Sequence, residues 1–447
     1  MKRLLILFVF LALLTGCGDL SPMSADRSPR AVAIASTNSS VGTAISGTAT
    51  MAPLSGVKPR FTATPGGVAM ESTSLAGGVV SSAPVPVAEV KAGEIDDNKL
   101  WDKYLDYRQK FDKRLNVHNV DISERYTISV LTSDQKPILG SRVRIYGGNT
   151  LLSDTYTYSN GQTLFFPKAI AASANQQSFQ VMVEKDGTTN EFTLTRKEKV
   201  DWSIVLKGVD TSQKRVKLDV LFLLDSTGSM GDEIAQLQSN ILSISDQLNQ
   251  LQGSPDIRYG IVTYRDRGDD YVSKIYQFTP DIKAFQKNLN DVHAGGGDDV
   301  PESLNAGLHD AVAGVEWRGD DTVKLVFLVA DAPPHLDYPD DYDYAQEMVQ
   351  ASRHGIKIFS LGASGLDDQG EYIFRQIAQY TMGHFIFITY AKNQSTGKVD
   401  ESKPGDDTNR SVAKQDYEVE LLDKLVLRLI KTELAPLTDT GNQEAGK

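Results

Sequence analysis

The chain has 447 residues, 40% of them hydrophobic and 23% charged, which suits two or three domains better than one core. Its 58 acidic and 46 basic residues leave a net charge of −12 and a pI near 5.1, which excludes the broad basic surface of a nucleic-acid binder. The ordinary hydrophobic share excludes a polytopic membrane protein, and the single cysteine excludes an intrachain disulfide and a cysteine-rich zinc site.

Met1-Lys2-Arg3 precedes an apolar run over 4–14, and small residues lead to Cys17. A basic start, a short apolar core and small residues before a cleavage point make 1–17 a secretory signal, too short to span a bilayer comfortably. The ending Leu14-Thr15-Gly16-Cys17 resembles the lipobox of bacterial lipoproteins. That resemblance implies cleavage before Cys17 and lipid attachment to it, so the mature protein would work outside the cytoplasm on a membrane anchor. A plain signal peptide with an unrelated cysteine is the alternative; the cysteine's place at the cleavage point favours lipidation.

Residues 18–95 are rich in Ala, Ser, Thr, Gly, Val and Pro, and Phe61 is the only aromatic residue between 18 and 93. So little large apolar surface does not offset the cost of ordering, and this stretch is expected to be a disordered tether. Over 96–118, Leu100, Tyr104, Tyr107, Phe111 and Leu115 follow helical spacing and predict one amphipathic helix. Over 119–208 the period changes to two, and turn signals at 134–137, 147–148, 159–161 and 186–187 separate short strands. This pattern predicts an all-β sandwich. The runs Ile128-Ser129-Val130, Pro137-Ile138-Leu139-Gly140 and Ser159-Asn160-Gly161-Gln162 are similar to the carboxypeptidase-regulatory-like or transthyretin-like sandwiches. No cluster of catalytic residue types falls there, so the unit reads as an accessory domain.

Residues 215–435 alternate strands and helices. Strands are predicted at 216–224, 257–264, 272–278, 323–330, 356–361 and 384–389. Helices are predicted at 232–251, 282–292, 301–315 with Pro301 in the first turn, 343–354, 371–380 and 416–434. A polar loop or insertion fills 391–414, and 436–447 is expected to be a disordered tail. Such alternation implies an α/β, Rossmann-like, doubly wound domain with a mostly parallel sheet, whose ligands bind outside the C-terminal strand ends.

Three loops at those ends carry oxygen groups. The first strand ends in Asp225-Ser226-Thr227-Gly228-Ser229, where alternate residues can aim three oxygens at one point. A glycine-rich loop follows, Gly295-Gly296-Gly297-Asp298-Asp299-Val300-Pro301-Glu302, and the later strand ends in Asp331-Ala332-Pro333-Pro334-His335. Carboxylates and hydroxyls without thiolates suit a hard divalent ion, magnesium first, with calcium or manganese as alternatives. These three pieces resemble the von Willebrand factor type A domain. The resemblance implies a metal-ion-dependent adhesion site built on Asp225, Thr227, Ser229 and Asp331. The family's second-loop threonine has no counterpart here; Asp298 is its expected substitute and Asp299 the fallback. Three carboxylates beside a doubly charged ion leave one negative charge over. This predicts either a tight structural site or a partner that offers a neutral oxygen.

The resemblance implies a non-enzymatic module that captures a protein partner through its metal face, with the membrane as second partner through the lipid. An envelope-assembly scaffold with a purely structural ion is the alternative, and a metal-dependent hydrolase a weaker one. Ser229 has no Gly-x-Ser-x-Gly elbow, and no phosphate loop or His-Glu-x-x-His run is present. The run Arg265–Asp270 reads as a solvated ion-paired loop, with a border of the metal face as the alternative; 337–344 reads either as an acidic, aromatic rim that contacts a partner or as an exposed loop; and His335 reads as a packing residue, with an approach to the site as the alternative.

Overall fold

The computed structural model describes residues 90–211, 215–251, 255–297 and 300–438. The signal segment with Cys17, the tether up to residue 89, Asp298, Asp299 and residues 439–447 lie outside the described residues. All described residues belong to one unit, Ser82–Lys447.

The chain enters as strand β1 (Lys91–Ile95), followed by helix α1 (Trp101–Phe111). Seven strands follow: β2 (Tyr126–Leu131), β3 (Arg142–Gly147), β4 (Thr150–Tyr156), β5 (Gln162–Phe165), β6 (Ser178–Lys185), β7 (Thr188–Thr195) and β8 (Asp201–Val205). They form a three-stranded sheet, β5-β2-β8, and a four-stranded sheet, β4-β3-β6-β7. Inward residues of both, among them Ile128, Val130, Val143, Ile145, Phe165, Phe179 and Val181, share one core. The period-two pattern is literal in β2, where buried and half-buried positions alternate.

The second half runs β9 (Lys217–Asp225), α2 (Gly231–Leu248), β10 (Asp256–Tyr264), β11 (Ser273–Thr279), α3 (Ile282–Asn290) and α4 (Leu304–His309). It continues with β12 (Thr322–Ala330), α5 (Tyr344–Arg353), β13 (Ile356–Gly362), α6 (Asp368–Tyr380), β14 (Phe385–Ile388) and the hairpin β15 (Tyr390–Lys392) and β16 (Val399–Pro404). Strand β17 (Val419–Leu421) and helix α7 (Leu422–Leu434) close it. The large sheet has the order β11-β10-β9-β12-β13-β14-β1-β17. Strands β10, β9, β12, β13 and β14 are mutually parallel, whereas β11, β1 and β17 each run antiparallel to a neighbour. Strand β9 is apolar on both faces because both are covered. Leu218, Val220, Phe222 and Leu224 pack with α2 and α7, while Leu221 and Leu223 pack with α4, α5 and α6. Among the described residues no helix is long and apolar enough to cross a membrane.

Five sequence expectations are corrected. The tether does not extend to residue 95, because β1 lies between β14 and β17 in the main sheet. The α/β domain is therefore not confined to 215–435: it is completed by β1 and α1, and the two small sheets are inserted within it. The segment Lys91–Ile95 lacks apolar alternation, and its burial comes from its neighbours. The helix expected from Pro301 starts at Leu304, because Glu302 and Pro334 pair as a parallel bridge that holds the preceding residues extended. The insertion at 391–414 contains the β15–β16 hairpin, and the last helix starts at Leu422 because 419–421 pair with β1.

A side chain at Gly93 would bring its Cβ to 2.8 Å from the rings of both Phe387 and Tyr417. Gly93→Ala is expected to destabilise the fold by about 1–3 kcal/mol, the usual cost of overpacking, as measured by urea denaturation.

Candidate cation site

Strands β9 and β12 are neighbours in the sheet, but the chain leaves them in opposite directions, through α2 to β10 and through α5 to β13. Their C-terminal ends thus form a switch point, where no crossover helix covers the crevice. Asp225 closes β9, and Asp331 follows β12 by one residue.

The first loop is tightly organised. Asp225, Ser226 and Thr227 are fully buried, while Gly228 and Ser229 are exposed. One Asp225 oxygen, Oδ1, accepts from the Thr227 backbone N–H at 2.9 Å and from the Thr227 hydroxyl at 2.7 Å. The Thr227 and Ser229 hydroxyls lie 3.2 Å apart. Two hydroxyls and a carboxylate therefore meet in one turn, and Ser229 faces the surface. Ser226 turns away, bonding the Tyr264 carbonyl at 2.8 Å and the Tyr271 hydroxyl at 2.9 Å, which fixes the loop from behind.

Backbone bonds lace the three loops together. Gly228 N–H donates to the Gly296 carbonyl at 2.8 Å, and Gly295 N–H to the Ser226 carbonyl at 3.0 Å. Glu302 N–H donates to the Pro333 carbonyl and His335 N–H to the Glu302 carbonyl, each at 3.0 Å. The glycines are required here. Gly296 and Gly297 have φ of +75° and +67°. A Cβ on Gly296 would run into the Asp269 carboxylate, and one on Gly297 would lie 2.6 Å from both Glu302 Oε1 and Thr227 Cβ.

What remains is a set of buried oxygens with unmet hydrogen-bonding capacity. Asp225 Oδ2, Asp331 Oδ1 and Glu302 Oε2 are buried without a well-formed hydrogen bond, with the Tyr264 hydroxyl close to Asp225 and the Ser229 hydroxyl close to Asp331. Burial, with the Asp331 charge added, pushes the Asp225 carboxyl up to about 7. Burial and the charges of Asp225, Asp266, Asp269 and Asp331 push Glu302 up to about 8. Burial also raises Asp331. Each carboxylate thus resists carrying its charge alone, and a divalent cation would reverse that preference. Among the described residues no three acidic, histidine or cysteine side chains stand together at metal-ligand spacing, so a cation here would need the hydroxyls as well.

The sign of the resulting pH dependence is fixed. Unfolded, Asp225 and Glu302 release their protons near 3.8 and 4.5; folded without a cation they hold them to about 7 and about 8. The folded state then binds more protons, so these two groups add stability below pH 4 that is lost as pH rises to about 8. In chelator, wild type is expected to lose more stability between pH 5 and pH 8 than Asp225→Asn, as measured by denaturant titration at each pH.

The structure therefore brings together Asp225, Thr227, Ser229 and Asp331, while Asp298 lies outside the described residues. Glu302 was not singled out in the sequence, where Pro301-Glu302 read as the start of a helix. Its signal was a carboxylate standing where a threonine was expected. The 265–270 run is also less solvated than its charges suggest. Asp266 is buried and accepts from the Ser303 hydroxyl at 2.7 Å and the Tyr338 hydroxyl at 3.2 Å. Asp269 accepts from the Gly297 N–H at 3.0 Å. His335 is buried beneath Tyr338 and bonded to Asp337 at 2.7 Å.

Comparison with known proteins agrees with this architecture. Residues 219–398 match the family profile of the von Willebrand factor type A domain. The chain is 28% identical over 218 residues to alpha-protein kinase vwkA of Dictyostelium discoideum, covering 45% of this chain and 33% of that protein. It is 35% identical over 117 residues to human von Willebrand factor A domain-containing protein 7, covering 25% of this chain and 12% of that protein. The matched stretches thus span a third or less of these relatives. A solved structure of proximal thread matrix protein 1 from the mussel byssus, described with a zinc-occupied MIDAS motif, aligns at 15% identity. That alignment has a TM-score of 0.27 and covers 38% of this chain and 47% of that one.

Proposed function

We propose that the von Willebrand factor type A domain of this chain is a cation-dependent protein-binding module, held outside the cytoplasm on a bacterial membrane by lipid on Cys17. One observation carries the cation: the partnerless buried oxygens of Asp225 and Asp331 stand beside the Thr227 and Ser229 hydroxyls at the switch point. The carboxylates and hydroxyls fit a hard divalent ion, with magnesium the first choice. Those four residues would hold it, and the bound ion would supply an electrophilic position for an oxygen of a protein partner. Asp225 orients the Thr227 hydroxyl, and exposed Ser229 marks the side from which a partner approaches.

A purely structural ion is the second reading, favoured by the complete burial of Asp225 and Thr227. The kinase activity in the name of one relative belongs to that protein, two thirds of which lies beyond the match. Pulldown from bacterial envelope extract with the full chain separates the readings. Capture of a discrete partner that chelator abolishes and magnesium restores supports the binding role. Capture insensitive to chelator, or a melting temperature that responds to cation without any capture, favours the structural one.

A further inference from the structure

We infer that Glu302, rather than Asp298 or Asp299, is the residue through which the glycine-rich loop serves the cation, an inference that rests on the cation site proposed above. Glu302 is 1% exposed, and its Oε2 is buried with no hydrogen-bond partner. A buried carboxylate in that state is costly unless a positive charge meets it. Its position is set from both sides. The backbone bonds to Pro333 and His335 pin it to the loop that begins with Asp331. Its other oxygen, Oε1, lies with Thr227 Cβ over Gly297, each 2.6 Å from where a Cβ would stand. Glu302 thus touches the glycine that separates it from the first loop while being tied to the third. That is the place a second-loop ligand must occupy. The glycine at 297 is what allows the approach, since a Cβ there would collide with both Glu302 and Thr227.

The inference changes the chemistry of the site. A second-loop threonine brings a neutral hydroxyl, whereas Glu302 brings a third carboxylate that, with Asp225 and Asp331, must draw in to share one ion, since the three do not already stand at metal-ligand spacing. Together with a doubly charged ion these leave one negative charge over, so the cation is held more firmly and attracts a partner's anionic oxygen less.

The test is calorimetric titration of the full chain with magnesium, manganese or calcium chloride alone, comparing wild type with Glu302→Gln, Asp298→Asn, Asp299→Asn and Asp225→Asn. Glutamine matches glutamate in shape, and the melting curve of each cation-free variant checks folding; Glu302→Thr serves if the glutamine variant does not fold. Glu302→Gln is expected to weaken cation binding on the order of 10–100-fold, with Asp298→Asn and Asp299→Asn each changing it less than about threefold. Wild-type affinity in Glu302→Gln, or the large loss appearing in Asp298→Asn or Asp299→Asn instead, overturns the assignment. Wild-type affinity in Asp225→Asn overturns the cation site itself, so the two failures are distinguishable.

Discussion

Asp225→Ala is expected to abolish the stabilisation of this protein by divalent cations. With cation at about 100 times its dissociation constant, wild type gains about 2.7 kcal/mol, because the ion binds the folded chain and not the unfolded one. The variant loses the one carboxylate that both faces the site and orders Thr227, accepting from its backbone N–H at 2.9 Å and its hydroxyl at 2.7 Å. Its cation affinity is expected to fall by more than about 100-fold, beyond the cost of losing an outer-shell partner. The asymmetry between the two states makes the test sharp. Without cation, Asp225 is a buried acid with a partnerless oxygen, so Asp225→Asn is expected to melt no lower than wild type at pH 8 in chelator. A group whose charge does not stabilise the empty fold but is required by the loaded one is a binding group. Melting curves with and without chelator read both effects; equal cation shifts in wild type and Asp225→Ala contradict the assignment.

Arg375→Ala is expected to destabilise the whole α/β domain by about 3–5 kcal/mol, the cost of stranding one partner of a buried ion pair. Arg375 lies on α6 and Asp97 follows β1; their side chains are each 3% exposed and joined by bonds of 2.6 and 2.9 Å. Glu371 adds a contact at 3.2 Å, and the Tyr107 ring of α1 lies 3.8 Å beneath the guanidinium. Domain stabilities are only about 5–15 kcal/mol, so this loss threatens folding at physiological temperature. Urea denaturation measures it. The triple change Arg375→Met, Asp97→Leu and Glu371→Gln is expected to recover most of the loss, because it removes all three buried charges together. A loss below about 1 kcal/mol would mean that β1 and α1 are not integral to the domain.

That second prediction exposes what sequence periodicity does not carry. The strands β9 and β12 and the helix pattern of α2 were legible because their apolar spacing is local and strong. Asp225, Thr227, Ser229 and Asp331 were legible because each falls at the end of such a strand. Strand β1 was not, since Lys91-Ala92-Gly93-Glu94-Ile95 shows no apolar alternation and its neighbour β14 begins 290 residues after β1 ends. Glu302 was hidden by Pro301, which reads as a helix start until pairing with Pro334 draws the chain straight. Asp266 and Asp269 were hidden by their neighbours, because a run of alternating charges reads as solvent-exposed, whereas the folded loops bury Asp266 and half-bury Asp269 while Arg267 and Asp270 stay exposed. In each case the missing information was a contact between distant segments, not a property of the segment itself.

A crystal of the full chain soaked in manganese chloride tests the account most directly. A single anomalous peak is expected within ligand distance of Asp225, Thr227, Ser229 and Asp331, at the switch point between β9 and β12. A map with those four side chains turned apart and no peak among them contradicts it.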